Sequence, residues 1–430
     1  MSDVAIIGAG YVGLTTAACF ARLGHEVRCA DVDAARVARL ADGEIPILEE
    51  GLPGLVAEGL AVDRLHFVLG AAAAVAGAEF VFLCVGTPQG DDGRADLSAV
   101  EAVCAEIAPL LAPGAVVVTK STVPVGTTRR VAQWLAEAGV PSEVGVASNP
   151  EFLREGTAVR DFLQPQRIVI GCDDTAVAVR VSELYRGVPA PTVVTDAASA
   201  ELIKQAANAY LAMKISFVNA IANVCEAVNA DVRDVALGMG YDPRIGTDFL
   251  QPGPGFGGAC LPKDTAALLH TAAEVGYDFS LLRGVLDVNQ RQRSHIVDRI
   301  RDAVGGDLSG RRVAVLGLTF KANTDDLRES PALEITRALV AAGALVCAFD
   351  PVAGAAAAAM VPGLTVAVDA YAAADGAEVL ALLTEWDQFR WLDYTRVVAA
   401  MAEARVVDAR NLLDPAAMRR LGFTYQGVGR

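Results

Sequence analysis

Val4-Ala5-Ile6-Ile7-Gly8-Ala9-Gly10-Tyr11-Val12-Gly13 stands almost at the start of the chain, and its reading decides the fold. Four apolar residues in a row predict a short strand buried on both faces, as in a parallel sheet. The glycines that follow have the spacing G-x-G-x-x-G, and a helical pattern runs from them through Leu23. A second strand, Glu26–Ala30, ends on Asp31. Strand, glycine turn, helix, strand, acid is the order of a dinucleotide-binding unit. In such a unit Gly8 makes the tight turn, Gly10 lets the backbone approach a pyrophosphate, and Gly13 permits close packing of helix on strand. The pyrophosphate rests on the helix N-terminus. Asp31 accepts hydrogen bonds from the ribose hydroxyls and repels a 2′-phosphate, so the expected cofactor is NAD and not NADP. Arg36 stands where it can meet the adenosine side, or serve as an exposed helix arginine.

The alternation of strand and helix continues outward. Strands are predicted over Phe80–Val85, Val116–Lys120 and Val144–Ser148. They end in the polar turns Gly86-Thr87-Pro88-Gln89, Ser121-Thr122-Val123-Pro124 and Asn149-Pro150-Glu151-Phe152-Leu153-Arg154-Glu155-Gly156. Ligands of open parallel sheets bind beyond the carboxyl ends of strands, which makes Asn149, Glu151 and Glu155 site candidates beside ordinary turn and cap roles. Ile168–Gly171 and Thr192–Val194 close a first domain over residues 1–195. From Ala197 to about Asn229 an apolar helical pattern runs without Gly or Pro, longer than most globular helices. Lys204 and Asn208 lie i, i+4 on it, so they share one face. The lysine reads either as a solvated edge residue or as a desolvated acid/base group.

A second stretch carries chemistry: Pro254-Gly255-Phe256-Gly257-Gly258-Ala259-Cys260-Leu261-Pro262-Lys263-Asp264. Pro262 suits the first turn of a helix that Ala266–Leu269 continue. Cys260 is thereby expected at a helix N-terminus beside Lys263, and both favour a thiolate. A packing cysteine would need no such loop. Tyr241–Gln251 leads into it, and Arg244 is the cation best placed to meet a phosphate. A further helix covers Leu282–Val304, completing a central domain over 196–305.

Arg311–Leu318 reads as a new strand with its glycine, Gly317, Leu333–Ala342 as a helix, and Ala344–Phe349 as a strand ending on Asp350. This repeats the opening order without G-x-G-x-x-G and with an insertion, Thr319–Ser330, that carries Lys321 and Arg328. Val379–Leu383 and Ala404–Asp408 are later strands, and Arg410 follows the last. Ala355–Ala359 and Ala372–Ala374 read as surface helix or turn. The fold class is therefore α/β: two Rossmann-like doubly wound domains, 1–195 and 306–430, joined by a long central helical domain.

Composition narrows the function. The 430 residues carry a net charge of −16 with no basic patch, which speaks against a nucleic-acid role. Eight scattered cysteines without C-x-x-C predict reduced thiols in a cytoplasm. Four dispersed histidines make no metal motif, so no metal is expected. Val68–Val85, read as a helix end and then a strand, is broken by Gly70, Gly77 and Glu79 and predicts no membrane span. An NAD site together with an activated thiol points to oxidation past the alcohol. An aldehyde gives up hydride only after gaining a nucleophile; a thiolate adds to form a thiohemiacetal, which is oxidised to a thioester that water opens. A second nucleotide-type domain offers a place for a nucleotide-linked substrate.

GAGYVG, KSTVPVGT, NPEFLREGTA, the helix with Lys204 and Asn208, GFGGACLPKD and the Phe320-Lys321 turn occur in the order of the UDP-glucose/GDP-mannose dehydrogenase family, which the chain resembles over nearly its whole length. The resemblance implies a four-electron, NAD-dependent oxidation of a sugar C6 hydroxymethyl, with UDP-glucose going to UDP-glucuronate. UDP-N-acetylhexosamine and GDP-mannose are the alternative substrates. It implies Cys260 as thioester nucleophile, Lys204 as acid/base, Asn208 and Asp264 orienting oxyanion and water, and Thr122 and Glu151 positioning the water. It places NAD on Gly8, Gly10, Tyr11, Val12, Gly13, Asp31, Arg36, Val85, Thr87, Thr122, Glu155, Lys263 and Arg328. It places the UDP-sugar on Glu151, Phe152, Leu153, Arg154, Glu155, Lys204, Asn208, Arg244, Phe249, Leu250, Gln251, Gly253, Gly257, Phe320, Lys321 and Arg410. A homodimer through the central helix is implied, with Arg244 reaching across. Gln251 stands where some members carry lysine, and Ala259 where serine is common. Two rivals remain: a two-electron hydroxyacid dehydrogenase of similar layout, which leaves Cys260 without a role, and a non-catalytic NAD-binding protein.

Overall fold

The opening stretch forms strand β1 (Asp3–Ile7) and helix α1 (Tyr11–Arg22), and β2 (Glu26–Asp31) follows beside β1. The computed structural model describes residues 1–88, 90 and 94–430, so Gln89 of the turn quoted above lies outside the described residues. The first sheet continues with β3 (Leu65–Leu69), β4 (Phe80–Leu83), β5 (Val116–Thr119), β6 (Gly145–Ser148), β7 (Ile168–Gly171) and β8 (Thr192–Thr195). Its order is β3-β2-β1-β4-β5-β6-β7-β8, parallel except where β7 meets β6. Alternate side chains of each strand feed opposite layers. Val4 and Ile6 join the layer that holds Phe20 and Phe82; Ala5 and Ile7 join the layer of Val81, Leu83 and Ile107. Phe20 anchors the first layer, with ring centroids 5.2 Å from Phe82 and 5.3 Å from Phe162 and Tyr185. Burial of each such ring contributes about 1.5–3 kcal/mol.

The second sheet comprises β9 (Arg312–Leu316), β10 (Leu345–Phe349), β11 (Thr365–Val366), β12 (Val379–Leu382), β13 (Arg405–Asp408) and β14 (Thr424–Gly427), all parallel in the order β11-β10-β9-β12-β13-β14. That is the order in which the first six strands of the first sheet stand. Each sheet thus reverses its winding beside its first strand, where open sheets bind ligands.

Three helices carry the remaining chemistry: α2 (Ala197–Val228), α3 (Leu261–Glu274) and α4 (Ser280–Ala303). The chain divides into two compact units, one of residues 1–207 and 266–276, the other of residues 208–265 and 277–430. Helix α2 runs unbroken through the first of these divisions.

Several expectations are corrected. Residues 68–69 end strand β3 and not a helix; this strand is half-exposed at the sheet edge, and its short apolar run cannot be told from a helix segment by periodicity alone. Strands β11 and β14 are additions that short or polar sequences had hidden. Ala372–Ala374 is helical with Ala372 exposed, but it is not wholly a surface segment: Ala373 and Ala374, with Ala370, are buried in the core of the second sheet, where small side chains allow the helix to sit close.

Candidate active site

In the first unit, Gly8 leaves β1 with φ +102°, and its N–H donates to Ala30 O at 2.8 Å. A Cβ on Gly13 would lie 1.8 Å from Gly8 O, so only glycine lets α1 start so close to the strand. Above Gly10 a Cβ would meet nothing within 4 Å, which leaves room for a bulky ligand group. Asp31 accepts from Ala9 N at 2.9 Å, Asp33 N at 3.0 Å and the Arg36 guanidinium at 3.2 Å. Burial alone would raise its carboxyl, but these donors outweigh burial and hold it below the usual range. A cradle closed to side chains at Gly8 and Gly13 but open above Gly10, with an anion fixed at the end of β2, fits a dinucleotide.

The neighbouring turns are stitched to this cradle. Tyr11 Oη bonds the Glu49 carboxylate and accepts from Gly156 N at 2.8 Å, which ties the start of α1 to the segment holding Glu155. Val12 packs against the core beneath. Val85 O accepts from Ser121 Oγ at 2.6 Å, and Thr87 Oγ1 donates to Thr122 O at 2.7 Å. Glu151 is buried; its Oε1 receives Lys204 Nζ at 2.8 Å and its Oε2 receives Leu153 N at 2.5 Å. Phe152 lies under two cations, with Arg167 at 3.6 Å and Lys204 at 5.5 Å from its ring centre. Arg154 forks onto Asp161 at 2.9 and 2.6 Å.

Lys204 is buried and paired with Glu151, so it is not a solvated edge residue. Helix α2 is held by its own polar side chains. Glu201 accepts from Gly126 N, Thr128 N and Thr128 Oγ1, each at 2.6 Å, and Gln205 Nε2 donates to Val123 O at 3.0 Å. Burial pushes the Glu201 carboxyl up against these bonds. The clamp fixes the turn of Thr122 relative to Lys204. Glu49, Glu201, Gln205 and Lys120 were not singled out from sequence. The signal for two of them was present: Glu201, Lys204, Gln205 and Asn208 form a polar stripe at i, i+3, i+4, i+7 on an otherwise apolar helix.

In the second unit, Cys260 is half-buried directly before α3, and its carbonyl accepts from Asp264 N at 2.9 Å. Asp264 is fully buried. Asn208 Nδ2 donates to its Oδ2 at 2.6 Å, and Lys263 Nζ lies 2.9 Å from its Oδ1. The glycine loop before Cys260 is held by α4: Asn289 exchanges bonds with Phe256 N at 2.8 Å and Phe256 O at 3.1 Å, while Gln292 donates to Gly253 O at 3.0 Å. Asn219 Oδ1 accepts from Gly253 N at 2.8 Å. A Cβ on Gly257 would lie 2.1 Å from Glu329 O, so the loop rests directly on the insertion after β9. Asn289 and Gln292 were also missed; buried amides on a helix look like surface residues in sequence.

Arg410 donates to Leu383 O at 2.9 Å and Phe320 O at 2.7 Å, which aligns three turns at the carboxyl ends of this sheet. Lys321 Nζ lies 5.5 Å from the Phe320 ring centre. Arg328 forks onto Asp326 and Arg244 onto Asp242; the Arg244 side chain is 87% exposed. Phe249 adopts φ +63°, Leu250 is buried, and Gln251 is exposed. Among the described residues no group of three or more His, Cys, Asp or Glu is placed to hold a metal.

Three models of one family match the chain. The NAD binding domain of the UDP-glucose/GDP-mannose dehydrogenase family matches residues 2–189, its central domain 198–291, and its UDP binding domain 314–415. The UDP-glucose 6-dehydrogenase of Rhizobium meliloti (strain 1021) is 46% identical over 433 residues, covering 99% of both chains. That of Pseudomonas aeruginosa is 46% identical over 442 residues, covering 99% of this chain and 97% of its own. Among solved structures, a UDP-glucose dehydrogenase from the archaeon Pyrobaculum islandicum superposes with a TM-score of 0.92 at 39% identity, covering 100% of this chain and 98% of its own.

Proposed function

The chain belongs to the UDP-glucose/GDP-mannose dehydrogenase family, and on that premise we propose how its residues divide the work of a UDP-glucose 6-dehydrogenase. The protein is an NAD-dependent oxidoreductase that takes the C6 hydroxymethyl of UDP-glucose to the carboxylate of UDP-glucuronate. Bound NAD+ would supply the hydride acceptor for each of the two oxidations. The cradle of Gly8, Gly10 and Gly13 and the Asp31 carboxylate hold the dinucleotide. Lys204, kept in place by Glu151, is the acid/base group and faces the oxygen where charge develops. Cys260 Sγ adds to the aldehyde carbon, and loss of the second hydride leaves a thioester. Water, positioned by Thr122 and Glu151, attacks its carbonyl; the C–S bond breaks and the thiolate is returned. Asp264, aligned by Asn208 and Lys263, orients the oxyanion and water. Arg244, Phe320, Lys321 and Arg410 serve the nucleotide-sugar. The functional parts are residues 1–195 for NAD, 196–305 for catalysis and assembly, and 306–430 for UDP.

The observation that carries the four-electron reading is the Cys260 loop itself. A half-buried thiol stands at the head of a helix whose first turn holds a fully buried, doubly paired carboxylate. A two-electron dehydrogenase has no use for either. The test is the NADH formed per UDP-glucose. Two are expected, and one would reject the thioester route. Cys260→Ser should lose net oxidation to the acid while binding NAD normally. A turnover screen with UDP-N-acetylhexosamines and GDP-mannose checks the sugar.

A cytoplasmic homodimer is the matching assembly. Helix α2 is long and apolar enough to cross a membrane by length and composition alone, yet it buries Glu201, Lys204, Gln205 and Asn208. Tyr210, Phe217, Val224 and Val228 stay exposed along it at intervals of seven, seven and four. A second copy of the same stripe would cover this seam. Light scattering that returns the mass of a single chain would remove the dimer.

A further inference from the structure

Lys120, the last residue before the Ser121-Thr122 turn, is buried behind the first unit's polar cluster. Burying an ammonium costs several kcal/mol unless every N–H finds an acceptor. Here three do: Asn149 Oδ1 at 3.0 Å, Asn149 O at 3.3 Å and Tyr185 Oη at 3.2 Å. The rings of Phe162 and Tyr185 flank it, each with its centre 5.8 Å from Nζ. Asn149 is otherwise pinned by its Nδ2 on Val169 O at 2.8 Å, by Tyr185 Oη on its Oδ1, and by its N–H on Thr119 O at 2.9 Å. Pro150 and Glu151 follow directly. On the other side, Ser121 Oγ bonds Leu83 O and Val85 O and fixes the start of the Thr122 turn. One cation therefore joins the two turns that carry Thr122 and Glu151.

We propose that Lys120 is a positioning residue for hydrolysis of the acyl-enzyme: its ammonium, through Asn149, sets the place of Glu151 opposite Thr122. The inference rests on the reading of Thr122 and Glu151 as the pair that holds the hydrolytic water. A neutral amine has two N–H groups and a lone pair, so deprotonation breaks one of the three bonds. The groups facing Lys120 are Cys19 of α1, Cys84 after β4, Tyr185, Glu151, and Lys204 of α2. Burial pushes Lys120 down to about 8, with Lys204 adding to the effect and Cys84, Glu151 and Cys19 opposing it. Burial raises Cys19 and Cys84 to about 12 and Tyr185 above its ordinary value, so these three stay protonated where Lys120 titrates. As pH rises through that range the Asn149 turn loosens and hydrolysis slows.

The experiment follows the Cys260 adduct by rapid acid quench and mass measurement across pH, in wild type and Lys120→Met. The wild-type release rate should fall along a single-proton alkaline limb near pH 8. Lys120→Met should release the adduct ~10–100-fold more slowly at neutral pH, lose that limb, and bind NAD with unchanged Kd. If this variant does not fold, Tyr185→Phe keeps the lysine, removes one acceptor of its ammonium, and should move the limb to lower pH. A wild-type rate and limb in Lys120→Met, or an unmoved limb in Tyr185→Phe, overturns the role of Lys120 and leaves the covalent route standing. Absence of any adduct in wild type overturns the covalent route and this inference with it.

Discussion

Ala9 N–H donates to Asp31 Oδ2 at 2.9 Å after the first strand of one sheet, and Leu318 N–H donates to Asp350 Oδ2 at 2.7 Å after the first strand of the other. The glycine before each has positive φ, +102° at Gly8 and +88° at Gly317. Each glycine N–H bonds the end of the next strand, Ala30 O at 2.8 Å and Phe349 O at 2.9 Å. The turns differ in what lies above them. Over the first, Gly10 leaves open space. Over the second stands Thr319, fully buried, with Trp386 Nε1 on its hydroxyl at 3.2 Å and Thr384 Oγ1 on its carbonyl at 2.6 Å. A Cβ on Gly317 would fall 2.4 Å from Thr384 Cβ. The same backbone device is left open above Gly10 in one sheet and closed into an internal brace in the other, and the residues above it decide which.

This contrast can be broken at either acid. Asp350 accepts from four backbone N–H groups, those of Leu318, Thr319, Val352 and Ala353. Asp350→Ala strands buried donors at about 1–3 kcal/mol each, so a loss of order 4 kcal/mol in urea unfolding is expected with the Kd for NAD unchanged. A weakened NAD site with intact stability would invert the comparison. Asp31→Ala should do the opposite: NAD binding weakened about tenfold, admission of NADP, and only about 1 kcal/mol of stability lost. Fluorescence titration with NADH and NADPH reads both arms. The smallest effect sharpens the picture. The folded Asp31 carboxyl lies below its ordinary value of 3.8, so its stabilisation is complete above that value and disappears as pH falls through the folded one. Unfolding curves of wild type and Asp31→Asn should therefore converge below about pH 4.

The first of these turns was legible in sequence because each of its demands selects a residue type: glycines for contact, an acid at a strand end. The second was legible as a repeat, since strand, glycine and acid recur at Leu316, Gly317 and Asp350. Its closed state was not, because Thr319 and Trp386 meet only after the chain has folded. Cys260 and its helix could be placed from glycine and proline alone. Lys120, Asn289 and Gln292 could not: a lysine at a strand end or an amide on a helix looks solvated until a distant backbone carbonyl comes within reach. Strand β3, Leu65-His66-Phe67-Val68-Leu69, escaped for a different reason: a short apolar run cannot be told from a helix segment by periodicity alone.

The distribution of sulfur has a practical consequence. Six of the eight cysteines are buried, and only Cys260 and Cys347 are partly open. Burial raises the Cys347 thiol above its ordinary value, which slows its attack on electrophiles. A water-soluble alkylating reagent used in small excess should therefore mark the native chain chiefly at one position. With Cys260 in the role proposed for it, the count of labelled molecules becomes a titration of competent centres, and its suppression by bound nucleotide-sugar an occupancy assay.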